Sequence, residues 1–345
     1  MHMAHLDRYS RQVRFQELGE VGQRKLLAGR ALVCGCGALG TVIANTLARA
    51  GVGRLRIVDR DFVETNNLQR QVLFDEDDVA NNLPKAIAAA NKLRRINSQI
   101  EIEPIVADVD HTNIVALLDG VDVIVDGTDN FETRYLVNDA AVKLSIPWVY
   151  GGCIGAGGQT MTILPGETPC LRCLIQEAPP AGAAETCDTA GIVAPIINVI
   201  ASIQAMEAIK ILAGRRDAVQ RSLLVFDLWE NRVLPMKTAG MREQSNCPTC
   251  VRGEFPWLAG QRGSHSAVLC GRNAVQLIQP DRGPVSLEAL ATKLAEVGHV
   301  TRNPFLLRLA VGDYLITVFP DGRAIIGGTD DISTARTVYA KYIGA

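Results

Sequence analysis

Between Arg30 and Asp59 the spacing of apolar residues changes period twice. Ala31 to Val33 is a short apolar run that ends in glycines. Thr41 to Ala50 spaces its apolar positions for a helix closed by Gly51, and Leu55 to Val58 is continuously apolar again. Strand, turn, helix and strand in that order predict one βαβ unit with parallel strands. Pro84 to Asn97 reads as a helix with proline at its first turn, and Glu101 to Val106 as a strand. Thr112 to Leu118 reads as a helix leading into a buried strand, Val121 to Val125. A further helix is predicted at Asn138 to Leu144 and a strand at Trp148 to Tyr150. This alternation predicts an α/β fold, a doubly wound, Rossmann-like, mostly parallel sheet with its ligand at the carboxyl ends of the strands.

Beyond Gly155 the pattern shifts to short strands, cysteine pairs and one long apolar helix, from about Gly191 to Leu212 and ended by Gly214. Its apolar positions run nearly all the way round, which predicts burial. Pro256, Gly260 and Gly263 suggest a linker, so residues 1–255 are expected to form one domain, 256–265 a linker and 266–345 a small α+β domain. Within the latter, a strand from Ala274 and a helix carrying Leu287, Leu290 and Leu294 are expected. A strand at Phe305 to Ala310, a hairpin around Pro320-Asp321-Gly322 and a final helix from Ile332 to Tyr342 complete it.

Composition narrows the function classes. The 345 residues are 48% hydrophobic and 21% charged with a formal net charge of −2, which announces no nucleic-acid footprint. MHMAHLDRYSRQ lacks an apolar signal core. The longest apolar run, Ile192 to Ile203, is broken by Pro195, Asn198 and Ser202 and is too short for a bilayer, so a cytoplasmic protein is expected. Four of the nine cysteines form two Cys-x-x-Cys pairs, Cys170/Cys173 and Cys247/Cys250. Two such pairs supply the four thiolates of a closed, structural Zn²⁺ site. A redox role for either pair is the rival, but neither opens a helix inside a βα unit.

Gly35, Gly37 and Gly40 follow a strand and open a helix, where backbone amides and the positive helix end receive phosphate. Asp59 ends the next strand, where a carboxylate accepts hydrogen bonds from ribose hydroxyls. Taken alone, this turn suits NAD or FAD as well as ATP. Arg70 and Lys85, followed by Asp129 in DGTDN, point to a triphosphate: the two cations neutralise phosphate oxygens and Asp129 holds Mg²⁺. The plainer reading makes Arg70 and Lys85 surface charges and Asp129 the cap of a helix starting near Phe131. The acidic run Asp75 to Asp78 reads as a solvated face.

The runs RYSRQ, GCGALG, VDRDFVETNNLQRQ, Pro84-Lys85, DGTDN, GQTMTILPGETPCLRC, ETCDTAGIVAP and CPTC together resemble the ThiF/MoeB/HesA family of ubiquitin-activating-like adenylyltransferases over about residues 5–252. The resemblance implies that the chain adenylates the C-terminal glycine of a ubiquitin-like sulfur carrier protein of the ThiS or MoaD kind. It further implies that Gly40, Asp59, Asp61, Asn67, Arg70 and Lys85 contact ATP and that Asp129 supports Mg²⁺. Arg11 would reach the partner subunit's phosphates, hence a homodimer, and the zinc assignment agrees. Cys187 stands where some members carry an acceptor cysteine that others dispense with, just before the long helix, whose N-terminus would lower a thiol pKa; the plainer reading is a small residue in a loop. A sulfurtransferase or cysteine desulfurase would then supply sulfur. Residues 266–345 show no catalytic signature, and two readings stay open for them: docking the carrier or a sulfur donor, or only burying surface or assisting dimerisation. The rivals are an NAD-dependent oxidoreductase, a tRNA-modifying dehydratase of the same superfamily and a nonenzymatic carrier-binding scaffold.

Overall fold

The computed structural model describes residues 6–177, 190–262, 266–269, 273–277 and 285–343. Two compact units divide the chain, Met1–Arg262 and Gly263–Ala345. In the first, the apolar runs pair into an eight-stranded sheet. Its strands are β1 (Arg30–Cys34), β2 (Arg54–Asp59), β3 (Glu101–Val106), β4 (Val123–Asp126), β5 (Trp148–Ile154), β6 (Gly157–Ile163), β7 (Ser222–Asp227) and β8 (Arg232–Lys237). They lie in the order β3-β2-β1-β4-β5-β6-β7-β8. The stretch from β3 to β5 is parallel, and β6, β7 and β8 extend it antiparallel. The chain runs outward from β1 through β2 to β3, then returns to pair β4 on the other side of β1. That reversal opens a crevice at the carboxyl ends of β1 and β4, where doubly wound sheets bind ligands.

Helices cover both faces of this sheet. On one face the Ala38–Ala50 and Ala194–Leu212 helices pack together, and Leu47, Ile196, Ile197 and Ile200 join Val33 and Ile57 in a single core. Small residues at the contact, Ala44, Ala48, Ala201, Ala205 and Ala208, are fully buried. The Ala194–Leu212 helix has the length and apolarity of a membrane span, but half of it is buried within this layer, as its all-round apolar pattern requires. On the opposite face Leu136, Val137 and Ala140 of the Phe131–Leu144 helix pack with Leu32, Ile124 and Trp148.

Three local readings change. The helix expected at Asn138 begins seven residues earlier, at Phe131, because the Asn130 side chain accepts the Thr133 N–H at 2.8 Å and starts it there. The acidic run is not a uniformly solvated face: Asp75 caps the Glu76–Ala80 helix, while Asp78 is buried and both pair with Lys92. The stretch read as a linker from residue 256 is, up to Arg262, part of the first unit. Leu258 is buried there, and Trp257 stacks on Tyr135 with ring centroids 5.3 Å apart.

The second unit is a six-stranded antiparallel sheet in the order β11-β12-β13-β14-β10-β9, with β9 (Ser266–Leu269), β10 (Ala274–Leu277), β11 (His299–Arg302), β12 (Leu307–Val311), β13 (Tyr314–Val318) and β14 (Ala324–Gly327). Leu287, Leu290 and Leu294 of one helix and Ala335, Val338 and Tyr339 of the other close its core. The expected hairpin pairs β13 with β14.

The glycine turn sets a stability test. A Cβ on Gly40 would overlap the Gly35 carbonyl oxygen, whereas one on Gly37 would meet nothing closer than Gln71 Nε2 at 3.9 Å. Gly40→Ala is expected to lose about 1–3 kcal/mol in urea unfolding, and Gly37→Ala to stay within about 1 kcal/mol. Equal losses would contradict the packing described.

Candidate functional site

β1 ends at Cys34, and the chain turns through Gly35, Cys36 and Gly37 into the Ala38–Ala50 helix. Gly35 has φ 86°, and a Cβ there would meet the Gly127 carbonyl oxygen at 2.7 Å, so the turn sits directly on the loop that follows β4. Gly37, by contrast, borders open space. Its missing Cβ leaves a cradle at the helix N-terminus that no protein atom fills.

Asp59 holds this turn to β2. One carboxylate oxygen accepts the Cys36 N–H at 2.6 Å and the other the Asp61 N–H at 2.7 Å. Burial pushes the Asp59 carboxyl above its ordinary range, and the Lys85 ammonium opposes that shift. Lys85 opens the Lys85–Ile96 helix and is itself buried. Its Nζ donates to Asp61 Oδ2 at 3.2 Å and its N–H to the Asp61 carbonyl at 2.9 Å. Asn67 is buried too: its Nδ2 donates to Asn66 Oδ1 at 2.8 Å, and its Oδ1 accepts the Glu64 N–H at 3.2 Å. Arg70 Nη1 donates to the Asn66 carbonyl at 2.8 Å. Next to it, Gln71 is buried with no hydrogen-bond partner on Oε1, and its Nε2 faces the space above Gly37. An orphaned buried amide beside an open glycine is the mark of a site shaped for a ligand.

Asp129 is exposed in the loop after β4, and the capping role belongs to its neighbour Asn130. The loop is fixed from beneath by residues the sequence did not single out. Arg134 is buried, with Nε 3.3 Å from Asp126 Oδ2 and Nη2 donating to the Thr128 carbonyl at 2.7 Å. Asp126 Oδ1 accepts both the Thr128 N–H and its hydroxyl, at 2.9 and 2.7 Å. Arg60 was also missed, though it directly follows the strand-ending Asp59. Its Nη1 donates to both Asp108 oxygens at 3.1 and 3.2 Å. Burial works against the Arg60 charge, but Asp108, Asp61 and Asp129 outweigh it and raise its pKa. Asp59, Asp61, Lys85, Arg60 and Asp129 are thus linked by hydrogen bonds or charge around the segments that follow β2 and β4.

Arg11 is not part of that group within its own chain. It lies exposed in the Ser10–Val13 turn of helix, next to Gln12, whose Nε2 donates to the Ala50 carbonyl at 2.9 Å. That is the far end of the Ala38–Ala50 helix, about 20 Å from the glycine turn at 1.5 Å per residue. Cys187 falls outside the described residues, as does Cys270.

The four paired cysteines converge elsewhere in the first unit. Cys170 Sγ lies 4.0 Å from Cys173 Sγ and 3.5 Å from Cys247 Sγ, and Cys173 Sγ lies 3.3 Å from Cys250 Sγ. All four sulfurs fall within 4.8 Å of one another. A tetrahedron with Zn–S bonds of about 2.3 Å has S···S edges of about 3.8 Å, so the donor set fits Zn²⁺ in number, chemistry and spacing. The surrounding contacts come from the Phe131–Leu144 helix. Asp139 accepts from Thr249 Oγ1 at 3.1 Å and from the Trp257 and Leu258 N–H groups at 3.0 and 3.4 Å, pinning the second cysteine loop and the segment after it.

Comparison with known proteins adds the following. The ThiF family profile matches residues 9–249. The sulfur carrier protein ThiS adenylyltransferase of Bacillus subtilis is 47% identical over 98% of this chain and 99% of its own length. The SAMP-activating enzyme E1 of Haloferax volcanii is 41% identical over 72% of this chain and 90% of its own. Among solved structures, E. coli MccB with ATP is similar at TM-score 0.57 and 26% identity, covering 67% of this chain and 71% of that one.

Asp139 carries a pH signature. Burial pushes its carboxyl up to about 6, with the Trp257 N–H, the Thr249 hydroxyl and the Leu258 N–H pulling the other way. A raised folded-state pKa means stability that is present at low pH and lost as pH rises through about 6. The stability of the parent relative to Asp139→Asn should therefore fall between about pH 4 and pH 7, by something on the order of 3 kcal/mol. Paired urea titrations across that window check it, and a flat difference would contradict it.

Proposed function

This chain belongs to the ThiF family, and we propose that it uses ATP to adenylate the C-terminal glycine carboxylate of a ubiquitin-like sulfur carrier of the ThiS type, releasing pyrophosphate. The observation that carries this is the 47% identity to the Bacillus ThiS adenylyltransferase across 98% of the chain. That match runs through residues 263–345 as well, whereas the Haloferax relative covers 72% of the chain. The relatives named are adenylyltransferases and activating enzymes, which leaves the oxidoreductase, dehydratase and scaffold readings without support of their own.

The chemistry follows from the crevice. A free carboxylate is a poor acyl donor because its leaving group would be oxide. Attack of the carrier's carboxylate oxygen on the α-phosphorus breaks the bond to pyrophosphate and gives an acyl-adenylate whose leaving group is AMP. No protein nucleophile is needed for that step, so positioning and charge neutralisation do the catalysis. In this reading Gly35, Gly37 and Gly40 cradle phosphate at the helix N-terminus, Asp59 receives the ribose hydroxyls, and Asn67, Arg70 and Lys85 take phosphate oxygens. Asp61 holds Lys85 in place at 3.2 Å. Asp129 would hold Mg²⁺, which supplies charge neutralisation between the phosphates. Arg11, remote from its own crevice, serves the site of the other subunit in a homodimer. The cysteine site would hold Zn²⁺ with no coordination position left open, a structural role. Cys187 is the candidate acceptor of the activated acyl group, and a sulfurtransferase or cysteine desulfurase would supply sulfur afterwards. A reducing cytoplasmic setting suits four metal-bound thiolates, and residues 266–345 would dock the carrier or a sulfur donor.

Carrier-dependent ATP–pyrophosphate exchange tests this reading. Exchange is expected with a ThiS-type carrier and is expected to fall about 100-fold or more in Asp129→Ala and Lys85→Met. Exchange absent with every carrier, alongside nicotinamide reduction, would overturn it. Mixing Arg11→Ala with Asp129→Ala should restore exchange through heterodimers carrying one intact site. No recovery in proven heterodimers would remove Arg11 from the partner's site.

A further inference from the structure

Asn138 is fully buried in the middle of the Phe131–Leu144 helix, and nothing in the adenylation chemistry uses it. Its Oδ1 accepts the Leu171 N–H at 2.9 Å, and its Nδ2 lies 3.7 Å from Cys170 Sγ. The backbone decides which end of the amide is which: Leu171 can offer a proton and cannot receive one, so oxygen must face it and the NH₂ must face sulfur. One side chain thus grips the first cysteine loop twice, once on the backbone directly after Cys170 and once on the Cys170 sulfur.

We propose that Asn138 is a positioning residue for the metal, donating an N–H···S hydrogen bond to the Cys170 thiolate and orienting that ligand for coordination. The proposal rests on the metal reading of the four cysteines and is independent of the adenylation step. A neutral thiol gains little from such a donor. Four thiolates around a divalent ion leave an excess of two negative charges in a buried place, and a directed N–H relieves part of that charge on one sulfur. The neighbouring contacts agree with this assignment. Arg172, between the two ligands of the first pair, is buried and donates from Nη1 to Thr249 Oγ1 at 3.2 Å, and that hydroxyl donates in turn to Asp139. The consecutive residues Asn138 and Asp139 therefore hold the two cysteine loops separately, Asn138 the first and Asp139 the second.

The experiment uses the full chain loaded with Co²⁺ in place of Zn²⁺ and two variants. Asn138→Asp, at a pH where its carboxyl is ionised, keeps an acceptor for the Leu171 N–H and loses the donor; Asn138→Ala loses both. In each, the thiolate-to-cobalt charge-transfer absorption is expected to move to longer wavelength, because the sulfur lone pairs lose the stabilising N–H. Metal transfer to a chromophoric chelator is expected to be about 10-fold faster. Since Asn138→Asp preserves the loop anchor, an effect shared by both variants belongs to the donor. Unchanged absorption and an unchanged transfer rate in folded Asn138→Ala would overturn the proposal. So would a parent protein that shows no thiolate-to-cobalt band at all, and that result would leave the adenylation reading untouched.

Discussion

Backbone meets backbone at Gly35, Gly40 and Gly127, with no space for a side chain between the end of β1, the first turn of the Ala38–Ala50 helix and the loop after β4. The crevice at the carboxyl ends of β1 and β4 depends on that contact. It brings the helix N-terminus down onto the strand ends and sets the Asp129 loop beside it. It also leaves Gly37 as the open position over which a phosphate can settle without meeting a Cβ. The close approach is held from two sides, by Asp59 on the Cys36 N–H and by Arg134 on the Thr128 carbonyl.

The charges of the crevice are arranged with the same economy. Asp126 and Lys85 are buried, yet each has an opposite charge within 3.3 Å: Arg134 for the first, Asp61 for the second. Paired in this way they cost less to bury and stay oriented before any ligand arrives. Arg60 among Asp108, Asp61 and Asp129 extends the arrangement to the rim. On the opposite face of the sheet, the Phe131–Leu144 helix begins at the Asp129 loop and, about two turns on, carries Asn138 and Asp139 against the cysteine loops. A single rigid element thus contacts both the loop after β4 and the cysteine cluster.

How legible this was in the sequence depended on how local each signal is. The βαβ unit, the glycine turn and the paired cysteines are written in short spacings, and the structure forms all three. The apolar period alone placed the Phe131–Leu144 helix late, because its first turn, Phe131-Glu132-Thr133-Arg134, shows no such period until Tyr135, whereas the capping residues of the polar loop before it marked a start near Phe131. β11 was missed because its four residues are mostly polar and exposed. Pro256 and Gly260 signal turns truthfully, but a turn packed through Trp257 and Leu258 looks the same in sequence as a linker. Asn138 and Asp139 act on residues 32 to 119 positions away, and no local pattern announces a partner at that distance. Arg60 was within reach, since it directly follows the strand-ending Asp59.

Isothermal titration of the full chain with Mg·ATP and, separately, with NAD addresses the central claim directly, because both ligands compete for the same cradle on different chemical grounds. The account predicts that Mg·ATP binds, that Lys85→Met weakens it by at least about 10-fold, and that NAD gives no comparable heat. Tight NAD binding that is indifferent to Lys85, with Mg·ATP failing to bind, would contradict it.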